Sequence, residues 1–550
     1  MSQQITPFVF VRPDSRRSQH DKELEQARIR SHAAKVYHTN QRAARAIQLF
    51  DIEYEAQCVH GNNIAPCPVC RAITTGIYEK PCRYPGRRDP FGTYPGHDTP
   101  VLAHEVADYA LEHGFSATFA PFTGSETNSS KNSWKQCAIH LPALFHAQVV
   151  GSVGWVLQNA GRIDCSAKKV LNQILSEQTQ LALQALRKDI GTVTFEPTDS
   201  HINAVALLSM LSWGPVISEE PYVISPTGLL QQLYAFSSFR TTPVHVAALY
   251  KLVGMRGGVE KIKLPYLRNT FELIDLVIAT QTGQKPQFKL VRPKASPYQS
   301  RMEAALGRPP LRTAGDNKPL LIIKSISIEL YNLVVQAAQL TEVVDLLHSN
   351  TKRRTLETPI VIARNEIQHC LLSLPTSQLS EADFLVGDER SSLTAEHYQL
   401  ALTELVRLAV CIYSDLVLFP LAWVTGVKTK CAARMRSILQ LSQISNAVSR
   451  SERLDHTRLY LWIVWLGCFA ATRSKHQEWF EAELFRLLRT MDKLKGEELL
   501  EAPFAIVRHW LAEFLWWPPV CDAPGEILWA LLGARSLQVE YFAELNTKGD

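Results

Sequence analysis

Catalytic signatures are what this sequence most lacks. It has no GxxxxGK[ST] phosphate loop, no GxGxxG opening a helix and no GxSxG elbow. The nearest string, Gly151-Ser152-Val153-Gly154, has the wrong spacing to present a nucleophile. His104-Glu105 opens an HExxH pattern, but Asp108 stands where the second imidazole has to be, so one helix face cannot offer zinc two histidines. His140, His146, His201 and His245 lie near apolar stretches without a neighbouring acid–nucleophile pair, and are read as hydrogen-bonded core or interhelical residues. The expectation is a protein that is not an enzyme.

Long apolar runs are also missing. Leu459–Ala471 (LYLWIVWLGCFAA) spans 13 residues, short of the ~17–25 that cross a bilayer, and is read as a buried helix. The first residues, MSQQITPFVFVRPDSRR, contain no apolar region of the ~7–15 residues a secretory signal needs. No membrane is expected among the partners. The 11 cysteines are odd in number and mostly scattered, which argues against a disulfide framework and for reduced thiols, with Cys411 and Cys468 as small core residues. No repeat of 20–50 residues and few strand-like alternations occur.

What is present is helical periodicity. Leu171, Ile174, Leu175, Leu181, Ala182 and Ala185 line one face of a helix running from Ser166 to Gly191. Leu330, Leu333, Val334, Ala337, Leu340, Val344 and Leu347 line another, and Leu402, Leu405, Ala409, Ile412 and Leu416 a third. Lys285–Pro319, rich in Pro and Gly, reads as a connector loop. The fold class expected is all-α: a helical body in two lobes, 91–290 and 319–550, joined by 291–318. It is preceded by an arm, 1–90, that is mostly irregular apart from one helix near 21–50.

Charge distinguishes the arm from the body. Residues 1–90 hold 14 Lys+Arg against 9 Asp+Glu, so the chain's whole surplus of +5 lies there and the remainder is balanced at 44 of each. A basic arm on a neutral body suggests an anionic partner such as DNA, or a merely solvated tail. In the arm helix, Arg28, Lys35 and Arg42 recur every seven residues with Arg45 beside them. Asn40-Gln-Arg-Ala-Ala matches the N-x-x-A-A core of a basic-zipper reading region. Ala56 and Asn63 follow Leu49 at the next seventh positions, and Pro66 comes after them, so no zipper coiled coil can form. Phosphate contact by Arg28, Lys35, Asn40, Arg42 and Arg45 stays open.

Cys58, His60, Cys67, Cys70 and Cys82 form the pattern C-x-H-x6-C-x2-C-x11-C. Cys67-Pro-Val-Cys70 has a spacing that puts two thiolates on one tetrahedral zinc, and the other three residues could complete the set. Free thiols in a loop are the alternative.

Read in order, the chain resembles the fungal-specific transcription factor regulatory domain. The resemblance is carried by FVFV at 8–11, ARIRSHAAKVYHTNQRAAR at 27–45, DPFGTYP at 89–95 and LPALFHAQVVGSVGWV at 141–156. It continues through DSHINAVALLSML at 199–211, HVAALYKLVGMRGGVEKI at 245–262 and DLVIATQTGQKPQF at 275–288. It ends in the apolar helices of 405–421 and 459–480. The family's DNA reader needs six cysteines as C-x2-C-x6-C repeated across a linker, and that cluster is missing; only Cys67 and Cys70 match a fragment. The resemblance implies a nuclear transcriptional regulator, with a biosynthetic gene cluster as a candidate target. It would act through protein partners of the transcription machinery, with a homodimer as a candidate assembly. A non-DNA-binding helical co-regulator or scaffold is the alternative. No ligand residue carries over: Arg256-Gly257-Gly258 reads as a helix stop.

Overall fold

The computed structural model describes residues 99–547 except 124–126, 160–164, 193, 210–211, 214–222, 224, 238, 241, 265, 291–296, 312–317, 350–353, 376–394, 442–453 and 496–501. Within these the fold is all-α, and the one sheet is a two-residue antiparallel pair, β1 (Ser212–Trp213) with β2 (Phe239–Arg240). The arm helix expected near 21–50 lies outside the described residues.

The first half contains α1 (Val101–Thr123), α2 (Thr127–His140), α3 (Pro142–Asn159), α4 (Cys165–Ile190), α5 (Asp199–Ser209), α6 (Leu233–Ser237), α7 (Pro243–Met255) and α8 (Leu267–Thr282). Helix α3 is apolar on several faces because α1, α4 and α5 all pack on it. Its core, from Leu102 through Val149 and Leu171 to Ile274, draws on every long helix here. Helix α4 starts and stops within a residue of its expected ends, and Gly191 N–H closes it on Arg187 O at 3.0 Å. Leu171, Ile174 and Ala182 are buried as expected, whereas Leu181, at the edge of the stripe, is 40% exposed.

The second half comprises α9 (Tyr298–Leu306), α10 (Lys318–Ile326), α11 (Ile328–Ser349), α12 (Glu357–Ser373), α13 (Ala395–Tyr413), α14 (Val427–Leu441), α15 (Leu454–Ala471), α16 (Gln477–Lys495), α17 (Phe504–Ala512) and α18 (Pro518–Thr547). Helix α9 corrects the reading of Lys285–Pro319 as loop. Prolines and glycines flank it, but Gly307 closes it in left-handed geometry and Met302 is fully buried in the second core. All seven stripe residues of α11 are buried, and so are the five assigned to α13 and the turn after it. Helix α15 is the buried helix expected, with α10, α13, α14, α16 and α17 around it. Trp462 donates its indole N–H to Leu515 O at 3.0 Å, and Trp465 stacks on Phe504 and Trp529. Gly467 lets α16 approach, since a Cβ there would lie 2.3 Å from Phe480 Cε1.

A small third cluster joins the two. Leu273, Leu276, Val277 and Ala279 of α8 pack with Leu233, Leu372, Phe419, Leu421 and Val427. No described helix is long and apolar enough to cross a membrane.

Candidate functional site

A buried polar network lies along this junction. It starts in a short strap, Ser225–Gln232, built of two 3-10 turns that precede α6. Ser225 Oγ and Thr227 Oγ1 each donate to Val417 O at 2.7 Å, which ties the strap to the second half. Gln231 and Gln232 then take successive left-handed conformations, with φ of 54° and 52°. Such geometry costs a non-glycine residue about 1–3 kcal/mol, so surrounding contacts have to hold it.

Those contacts point in opposite directions. Gln231 Oε1 accepts from Arg364 at 3.0 Å and from Asn365 Nδ2 at 3.3 Å, both on α12. Gln232 faces the first half: its Nε2 donates to Gly114 O at 3.1 Å, and its Oε1 accepts the indole N–H of Trp155. One pair of neighbouring amides therefore grips both halves.

Arg364 is fully buried, and among the described residues no carboxylate pairs with it. Its guanidinium donates to Thr227 O, to Leu230 O at 3.0 Å, to Gln231 Oε1 and to Asn365 Oδ1, and it lies over the Phe419 ring at 5.7 Å. Burial pushes its pKa down to about 9, still high enough to keep it charged at neutral pH. Carbonyl dipoles and a ring face thus stand where an anion would be expected.

The network continues along α12. Gln368 donates to Thr280 Oγ1 of α8 at 3.0 Å and accepts from Ser414 Oγ at 2.7 Å. After α13 the chain enters a π-turn, Ser414–Leu418, where Phe419 N–H reaches back to Ser414 O. Asp415 in that turn accepts Leu421 N–H at 2.8 Å and pairs with Lys428 of α14 at 2.8 Å, both buried. Ser237 Oγ accepts Ala422 N–H at 2.8 Å. The hydrogen bonds run from one part of the chain to another, so the seam fixes backbone and helix positions.

In the first half, the quoted segments 199–211, 245–262 and 275–288 are each fastened by a carboxylate. Asp199, at the start of α5, accepts Lys263 N–H at 2.7 Å and Leu264 N–H at 2.8 Å, and meets Arg256 Nε at 3.3 Å. Gly257 and Gly258 stop α7 with φ of 92° and 102°, and Gly258 N–H closes on Val253 O. The stop is as expected, although Arg256 also pairs across to α5. Asp275 accepts Tyr250 O–H at 2.7 Å, Gln287 N–H at 3.2 Å and Phe288 N–H at 2.8 Å, folding the QKPQF loop back onto α8. Burial, with Asp275 beside it, pushes the Tyr250 hydroxyl pKa well up.

Of the histidines, His146 is buried and its Nδ1–H donates to Gln178 Oε1 at 2.7 Å. His201 is buried, accepts Thr198 N–H at Nδ1 and turns Nε2 to Asp189 at 3.5 Å. Half-buried His245 bonds Leu208 O at 3.0 Å. His140 departs from the expectation: it ends α2 and is exposed. Cys411 and Cys468 are buried as expected, and burial pushes the Cys411 thiol up to about 11.

Cys58, His60, Cys67, Cys70 and Cys82 lie outside the described residues, as do Arg28, Lys35, Asn40, Arg42 and Arg45. Among the described residues no group of three His, Cys, Asp or Glu could hold a metal ion. Sequence reasoning missed Asp199, Asp275, Gln231, Gln232 and Arg364; only Asp199 and Asp275 had a signal, since both open quoted motifs. No family model, curated protein or solved structure matches the chain.

Proposed function

We propose that the chain is a transcriptional regulator of the fungal type, in which the helical body receives partners and the basic arm contacts nucleic acid phosphates in the nucleus. The observation that carries this reading is the order of family-like segments along one all-α body, from LPALFHAQ at 141 to the apolar helix at 459. The charge asymmetry adds to it, since the whole basic surplus belongs to residues 1–90. Deleting the gene and profiling transcripts tests it. A defined set of transcripts should change, and unchanged transcript levels overturn the regulatory reading.

One observation favours a second reading, a co-regulator that works through protein partners. The six-cysteine cluster of the family's DNA readers is missing, and Cys67-x2-Cys70 supplies one pair only. Gel-shift titration of the purified full chain separates the two. Sequence-selective binding that survives competitor DNA supports direct reading, whereas weak binding that collapses steeply with salt supports the co-regulator.

A further inference from the structure

The two halves share an apolar junction, so a strained polar strap is not needed merely to hold them together. What the strap adds is a connection between specific groups. We propose that Ser225–Gln232 is a two-sided latch, which Arg364 folds by gathering oxygens from the strap and which thereby sets Gln232 onto Trp155 and Gly114 of the first half.

A guanidinium without exposure has to find acceptors nearby, and the strap supplies Thr227 O, Leu230 O and Gln231 Oε1. Bringing three oxygens from five successive residues onto one planar group requires a sharp reversal of the chain. The left-handed pair Gln231–Gln232 is that reversal. Neither residue is a glycine, so this backbone is disfavoured unless held from outside.

With the turn in place, the next side chain projects the other way. Gln232 then receives the Trp155 indole N–H and donates to Gly114 O, joining α3 and α1. When Arg364 lets go, the strain is released, both glutamines relax towards ordinary backbone, and Trp155 loses its acceptor. The apolar junction of Leu233, Leu276 and Phe419 stays packed, so opening the latch does not part the halves. Arg364 and Trp155 are therefore coupled through a two-state element, and both bias it.

Indole N–H hydrogen exchange in the full chain tests this, with the Trp155 signal assigned by Trp155→Phe. In Arg364→Met, exchange at Trp155 should quicken at least about tenfold, as expected for local opening. The Trp462 indole N–H, bonded to Leu515 O inside the second core, should stay protected and report that the body is folded. Gln231→Ala, a milder change that removes one oxygen from Arg364, should release Trp155 in the same direction and serves if Arg364→Met does not fold. A double-mutant cycle gives an independent reading: the Tm losses of Arg364→Met and Trp155→Phe should be clearly less than additive. Trp155 exchange unchanged in the folded variants, or additive Tm losses, overturns the latch.

Discussion

His146 and His201 show how individual residues make this fold sensitive to acid. Burial is the main force holding both imidazoles below the ordinary value, outweighing the Gln178 bond of the first and the Asp189 carboxylate near the second. The folded state therefore binds fewer protons than the unfolded chain. The stability due to this pair is present above the unfolded value of about 6.5 and is lost as pH falls through the lower folded values. Tm should drop between about pH 7.5 and about pH 5.5, and His146→Phe with Gln178→Leu should flatten that slope while remaining folded. A slope unchanged by the pair would remove His146 from this role. Gly467 makes a second prediction: Gly467→Ala forces a Cβ into the Phe480 ring and should destabilise by about 1–3 kcal/mol in denaturant unfolding.

At the scale of elements, single carboxylates fasten loops to helices. Asp275→Ala leaves the Tyr250 hydroxyl and the N–H groups of Gln287 and Phe288 without their acceptor, and should cost about 2–3 kcal/mol. Asp275→Asn keeps an oxygen and should cost less; equal losses in both variants would contradict the assignment. This level of structure was only half legible. Long periodic helices such as α11 and α13 could be read because their stripes repeat over several turns, and α15 because its apolar run is unbroken. Helix α9 could not, because prolines and glycines on both sides mask its nine residues. The strap was hidden more deeply: left-handed turns announce themselves through Gly or Asn, and here two glutamines adopt them, the first bonded to an arginine over 130 positions away. Gln178 on α4 shows the same limit, since its buried amide finds its partner in His146 of another helix.

On the scale of the whole molecule, the charge surplus lies in residues 1–90 and the two described cores lie beyond them. The described cores begin at Leu102, so removing residues 1–90 should leave the Tm of the body unchanged and, on the proposed function, abolish the transcript changes that depend on the chain. A large fall in Tm would instead make the arm part of the folded body. The central claim is that this chain governs transcription at defined loci, and genome-wide chromatin occupancy of the tagged full chain, set beside transcript profiles of the gene deletion, tests it most directly. The account predicts discrete occupied sites next to genes whose transcripts change on deletion; occupancy no greater than an untagged control, with an unaltered transcript profile, would contradict it.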